Sequence, residues 1–141
     1  MDGRRGIRES GSTSREETLE VAREFAQGLV PGDVICLHGD LGVGKTTFTK
    51  GLVEVLAPGT HQDEVTSPTF VTLNLYQHVA HFDLYRLERL VDFTRCGFAE
   101  YLEEPYITII EWPKLIESLL PRSTYHIEIK RTGENSRVFV V

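Results

Sequence analysis

The chain has little cysteine, no long apolar run and no excess of basic charge, and each deficit excludes a class of protein. Only two cysteines occur in 141 residues, Cys36 and Cys96, with neither metal-site spacing nor the density of a secreted disulfide scaffold. They read as free thiols in a reducing compartment. No apolar run approaches membrane-spanning length, and residues 1–13 lack the apolar block of a signal peptide, so a cytoplasmic protein is expected. Lys and Arg number 15 against 21 Asp and Glu, and the net charge of −6 argues against a protein that grips nucleic acid through a dense basic face. A hydrophobic fraction of 40% over this length allows one domain with a core and leaves no room for two.

What the sequence does carry is the stretch Val34-Ile35-Cys36-Leu37-His38-Gly39-Asp40-Leu41-Gly42-Val43-Gly44-Lys45-Thr46-Thr47-Phe48. It reads as a buried strand, a glycine-rich turn and the start of a helix, and the turn fits G-x-x-x-x-G-K-[ST] at Gly39, Gly44, Lys45 and Thr46. Gly39, Gly42 and Gly44 let the backbone bend so that successive N–H groups face inward, toward the unpaired N–H groups of the helix that follows. The helix dipole adds partial positive charge, Lys45 adds a full charge, and the Thr46 hydroxyl is an oxygen ligand for a phosphate-bound Mg²⁺. This is the chemistry of a nucleotide-phosphate site.

Around that turn the chain divides by its periodicity. Residues 1–12 are expected to form a mobile tail, with residues 13–141 as the domain. Ser14-Arg15-Glu16-Glu17 has the form of a capping box, and Leu19, Ala22, Phe25, Ala26 and Leu29 recur at helical spacing behind it, for a helix of roughly 15 residues ending before Pro31. Residues 33–38 form a strand, and a helix carrying Phe48, Leu52, Val55 and Leu56 stops at Pro58-Gly59. The pattern then turns to period two: residues 70–76 and 79–85 read as a hairpin, with Val79, His81, Asp83 and Tyr85 on one face of the second strand. Residues 86–95 are helical or irregular, 97–102 a short helical piece, 106–111 a buried strand, and Pro113 opens a helix through Leu120. Residues 124–131 and 137–141 close the chain as a hairpin around Gly133.

Hydrolysis needs acidic groups beside the phosphates, and two carboxylates fit. Glu111 ends the apolar run Ile107-Thr108-Ile109-Ile110, the pattern of a core strand whose carboxyl end meets the ligand; a solvated strand end is the alternative. Asp83 is either a metal-side or water-orienting carboxylate, or a turn-forming or helix-capping aspartate before Arg86. Trp112 either walls the nucleotide, docks a partner or packs in the core. His81 reads as a structural hydrogen-bonding residue rather than a base, since no catalytic partner is visible in the sequence. Arg86, Arg89 and Arg95 either meet phosphate, RNA or an acidic partner, or form a solvated face paired with Glu88 and Asp92.

Taken in order, Gly39 to Phe48, Ser67-Pro68-Thr69-Phe70, His81-Phe82-Asp83-Leu84-Tyr85-Arg86-Leu87 and Glu111-Trp112-Pro113 resemble the TsaE family, P-loop ATPases of bacterial tRNA threonylcarbamoyladenosine biosynthesis. Nearly the whole chain is covered, from about residue 12 onward. The resemblance implies a single P-loop NTPase-like α/β domain, a three-layer sandwich with a mixed central sheet and a β-hairpin-rich half. It implies a weak, partner-stimulated, Mg²⁺-dependent ATPase that releases ADP and phosphate. Its partners would be TsaD and TsaB, with tRNA reached through that complex and no membrane involved. Gly39, Asp40, Leu41, Gly42, Val43, Gly44, Lys45, Thr46 and Thr47 would cradle the nucleotide, joined by Trp112. Thr46 and Glu111 would hold Mg²⁺ with Asp83, and Asp83 and Glu111 would serve hydrolysis. Thr69 would lie in a switch-like region near the γ-phosphate, and Ser14 and Arg137 near the adenine. Val43 stands where the family usually has alanine.

Two rival functions use the same phosphate turn. A small-molecule kinase would clamp two substrates with Arg86, Arg89 and Arg95, although the chain has little room for an acceptor pocket and a lid. A nucleotide-sensing interaction module would bind ATP without consuming it. A GTPase lacks support, because no N-K-x-D segment reads guanine.

Overall fold

The computed structural model describes residues 9–40, 42–68 and 72–141. Ten regular elements follow in chain order among them: β1 (Glu9–Ser12), α1 (Arg15–Ala26), β2 (Val34–His38), α2 (Lys45–Leu56), β3 (Leu73–Tyr76), β4 (Val79–Asp83), α3 (Leu90–Arg95), β5 (Ile107–Glu111), β6 (Tyr125–Arg131) and β7 (Arg137–Val140). Short 3₁₀ helices lie at Gln62–Glu64, Phe98–Leu102 and Pro113–Leu119.

The strands form one sheet in the order β1-β7-β6-β2-β5-β4-β3. The phosphate-turn strand β2 runs parallel to β5 and β6, and β4 runs parallel to β5, while β1, β3 and β7 pair antiparallel. The sheet is therefore mixed, as the resemblance implies, with the β3-β4 hairpin on one side of the core strands and the β6-β7 hairpin on the other. Alternation along the strands sends side chains to two cores. Ile35, Leu37, Val79, Ile109 and Ile127 pack under Ala22, Phe48 and Leu52 of α1 and α2. Cys36, Ala80, Phe82 and Ile110 pack on the other face against Phe93, Leu102 and Ile116. These are the three layers.

Local chemistry explains the helix that precedes β2. The Ser14 side chain accepts from the Glu17 N–H, and the Glu17 carboxylate accepts from the Thr13 N–H at 2.7 Å. The reciprocal arm thus closes one residue earlier than an ordinary capping box. Helix α1 lies against α2 at Gly51, where a Cβ would come within 2.6 Å of Ala22 Cβ and 2.8 Å of the Leu19 carbonyl oxygen. Phe48 stacks on Phe139 at 5.3 Å and fills the space above β7. Each such fully buried side chain contributes about 1.5–3 kcal/mol.

One expectation needs correction. The tail expected over residues 1–12 gives way at Glu9 to β1, which pairs with Arg137–Val140 and is invisible to hydrophobic patterning because its own side chains are polar. Ser12 is buried there by hydrogen bonds, to Thr18 Oγ1 at 2.8 Å and to the Ser14 carbonyl at 2.7 Å. Residues 1–8 lie outside the described residues. The segment opened by Pro113 is helical as expected, a 3₁₀ helix over Pro113–Leu119 that is kinked at Ile116. Gln77, in place of the glycine or asparagine that a two-residue turn favours, takes φ +56 and ties its amide to the Pro58 carbonyl at 2.8 Å.

Candidate functional site

Three glycines with positive φ shape the turn between β2 and α2: Gly39 at +148, Gly42 at +78 and Gly44 at +115. Gly39 is also sterically required, since a Cβ there would lie 2.7 Å from Val43 Cγ1 and 2.8 Å from the Ile129 carbonyl oxygen. Gly44 is the N-cap of α2 and has no side chain to close the helix end, in contrast to Ser14 on α1. The first N–H groups of α2 are thus left for an anion.

Lys45 is buried beside this end, 5% exposed. Its ammonium donates to the Gly39 carbonyl at 2.8 Å and lies 4.0 Å from Glu111 Oε1. It also sits over the Trp112 ring, 4.1 Å from the centroid. Burial pulls the Lys45 pKa below its ordinary value, and Glu111, Asp83 and Asp40 oppose that shift. A phosphate placed here would give this buried ammonium a further negative partner.

The acidic side of the site comes from register. Parallel pairing sets Asp83 of β4 opposite Glu111 of β5, so two carboxylates from distant sequence end side by side at the carboxyl edge of the sheet. Both are buried. Asp83 Oδ2 accepts from Ser67 Oγ at 2.9 Å, while Oδ1 accepts from the Tyr85 N–H at 3.0 Å. Asp83 thus shapes the turn and lines the cleft. Lys45, Thr46, Thr47, Ser67, Asp83 and Glu111 line one cavity of 340 Å³.

Two further cavities flank the turn. One of 220 Å³ brings Ser14 and Arg137 together with Gly44, Thr47 and Asn135. Arg137 also donates to the Val43 carbonyl at 2.8 Å, tying β7 to the phosphate turn. On the outer side of the turn, Trp112, Asp40, Gly42, Val43 and His38 border a cavity of 650 Å³. Trp112 is half-buried, with φ +57, and meets Tyr85 in a tilted ring contact at 5.1 Å. Leu41 and Thr69 lie outside the described residues.

The model of the family described as "Threonylcarbamoyl adenosine biosynthesis protein TsaE" matches residues 12–139. The chain belongs to the TsaE family. It is 40% identical over 126 residues to the tRNA threonylcarbamoyladenosine biosynthesis protein TsaE of Bacillus subtilis, an alignment covering 86% of this chain and 77% of that one. The Treponema pallidum TsaE is 35% identical over 133 residues, covering 92% and 96%. The crystal structure of Bacillus subtilis YdiB superposes with a TM-score of 0.75 at 34% identity, covering 96% of this chain and 84% of that one. The TsaE match runs from the end of β1 into β7 and so takes in all three cavities.

Two contacts do not show in the sequence. His81 is a hydrogen-bonding residue as expected, and its partner is Glu111: Nε2 lies 2.7 Å from Oε2. Ser67 meets Asp83 across 16 positions of sequence. Neither contact follows a local spacing, although the S-P-T-F and H-F-D-L-Y-R-L segments contain both residues. The arginine cluster fits its solvated alternative, at least at Arg89, which pairs with Asp92 at 3.1 Å. Cys36 is buried, its thiol pushed up to about 12 by burial and by Glu117, while Cys96 is exposed. No helix among the described residues is long and apolar enough to cross a membrane.

Proposed function

We propose that the protein is a Mg²⁺-dependent ATPase of the cytoplasm that supports threonylcarbamoylation of the adenosine next to the anticodon of tRNA, gating or resetting a complex of TsaB and TsaD. The observation that carries the ATPase reading is the convergence of Lys45, Glu111 and Asp83 on one cavity at the open N-terminus of α2. The names of the relatives in Bacillus subtilis and Treponema pallidum support the tRNA process.

In this reading the turn from Gly39 to Thr46 binds the phosphates through backbone N–H groups, and Lys45 pairs with the β- and γ-phosphates. The adenine and ribose occupy the cavity of Ser14 and Arg137, which is continuous with the α2 N-terminus through Gly44 and Thr47. Among the described residues no three His, Cys, Asp or Glu side chains form a metal cluster. Mg²⁺ needs no such cluster, being held through one or two carboxylates with phosphate and water completing its shell. The Thr46 hydroxyl, Glu111 and Asp83 are hard oxygen donors lining the same cavity, so the residues fit the ion. Bound there, it neutralises charge on the phosphate oxygens. Glu111 and Asp83 also orient the attacking water. The chain offers no arginine finger in a defined motif, so turnover is slow alone and a partner completes the site.

Phosphate release from ATP tests this, measured on the chain alone and with TsaB, TsaD and tRNA. The proposal expects slow release alone and stimulation in the mixture. Phosphorylation of a small acceptor, with no effect of the partners, would establish the kinase instead.

A further inference from the structure

His81 is wholly buried on β4, and its Nδ1 has no hydrogen-bond partner among the described residues. A leucine or phenylalanine at this place would carry no such unmade bond, so core packing does not account for a histidine. Its other nitrogen does. Nε2 lies 2.7 Å from Glu111 Oε2, and because a carboxylate only accepts, the ring hydrogen belongs on Nε2.

The contact divides the two oxygens of Glu111. Oε2 is held from within the sheet by His81, while Oε1 lies 4.0 Å from Lys45 Nζ. Register makes this possible. His81 pairs with Ile109 and Asp83 with Glu111, so His81 and Asp83 share a face of β4 and His81 reaches Glu111 on the diagonal. Asp83 is fixed in the same way by Ser67 and by the Tyr85 N–H.

We infer that His81 is a positioning residue: its Nε2–H fixes the carboxylate plane of Glu111 so that Oε1 alone serves the phosphate cleft. The inference rests on the ATPase reading and adds a residue to it. Outer partners of this kind alter activity by about ten- to a hundred-fold when removed.

Three substitutions test it. His81→Leu keeps the volume and removes the donor, His81→Gln keeps an N–H near the place of Nε2, and His81→Asn moves it back to the place of Nδ1. Phosphate release is measured at saturating ATP and ADP affinity by calorimetry. The expected result is a kcat about ten- to a hundred-fold lower in His81→Leu, ADP affinity changed less than about twofold, and most turnover restored in His81→Gln. Added to Glu111→Ala, His81→Leu should slow the enzyme no further, because the two act as one unit. Wild-type turnover per folded molecule in His81→Leu would overturn the inference and leave the ATPase reading standing. If His81→Leu does not fold, the amides decide: turnover in Gln but not Asn supports the inference, and equal turnover overturns it. A wild type that never releases phosphate ends both.

Discussion

The Lys45 ammonium lies over the Trp112 ring, 4.1 Å from its centre, with the indole brought there by a residue in the left-handed region at φ +57. The contact helps to house a charge that burial disfavours. The Gly39 carbonyl and Glu111 are its other partners.

Lys45→Met should therefore separate binding from stability. A lowered pKa means that the unfolded chain holds the Lys45 proton more tightly than the folded one, so at neutral pH the buried charge opposes folding. The variant is expected to melt at or above the wild-type temperature without nucleotide. Saturating ATP, which at a hundred times Kd stabilises wild type by about 2.7 kcal/mol, should leave it unmoved. Thermal melts with and without ATP read both effects.

His38 gives a pH dependence of stability. It ends β2, its Nε2 lies 2.9 Å from His126 Nδ1, and its pKa falls below the ordinary 6.5 because of burial first and His126 second, against Glu128 and Glu117. As pH drops through 6.5 the unfolded chain takes the proton first, so this contribution to stability is complete above 6.5 and is lost toward the lower folded pKa. Melting temperatures from pH 8 to pH 5 should fall less steeply in His38→Gln than in wild type.

Gly51→Ala sets helix propensity against packing. Alanine favours an isolated helix by about 1 kcal/mol over glycine. Here its methyl would meet Ala22 Cβ at 2.6 Å and the Leu19 carbonyl oxygen at 2.8 Å, forcing α1 away from α2. Overpacking of this kind costs about 1–3 kcal/mol, so denaturant unfolding should show a net loss of stability.

What the sequence revealed was whatever depends on neighbours in the chain. The glycine turn, the cap at Ser14 and the apolar run ending in Glu111 each carry their reason within a few residues. The unread parts depend on register between strands. His81 and Glu111 are 30 positions apart, and only parallel pairing of β4 with β5 brings them to one hydrogen bond. Residues 9–12 have no apolar alternation to announce a strand, because their order comes from backbone pairing with β7. Asp83 was ambiguous for a physical reason: one carboxyl oxygen makes the turn and the other faces Ser67.

The measurement that bears most directly on the ATPase account is the comparison of Glu111→Gln with wild type in ATP turnover and ATP affinity together. Removing the charge of Glu111 should reduce turnover by at least about a hundredfold while ATP is still bound within a few-fold of wild type. Equal turnover in the two proteins would contradict it and make the cavity at Lys45 a site that senses nucleotide without hydrolysing it.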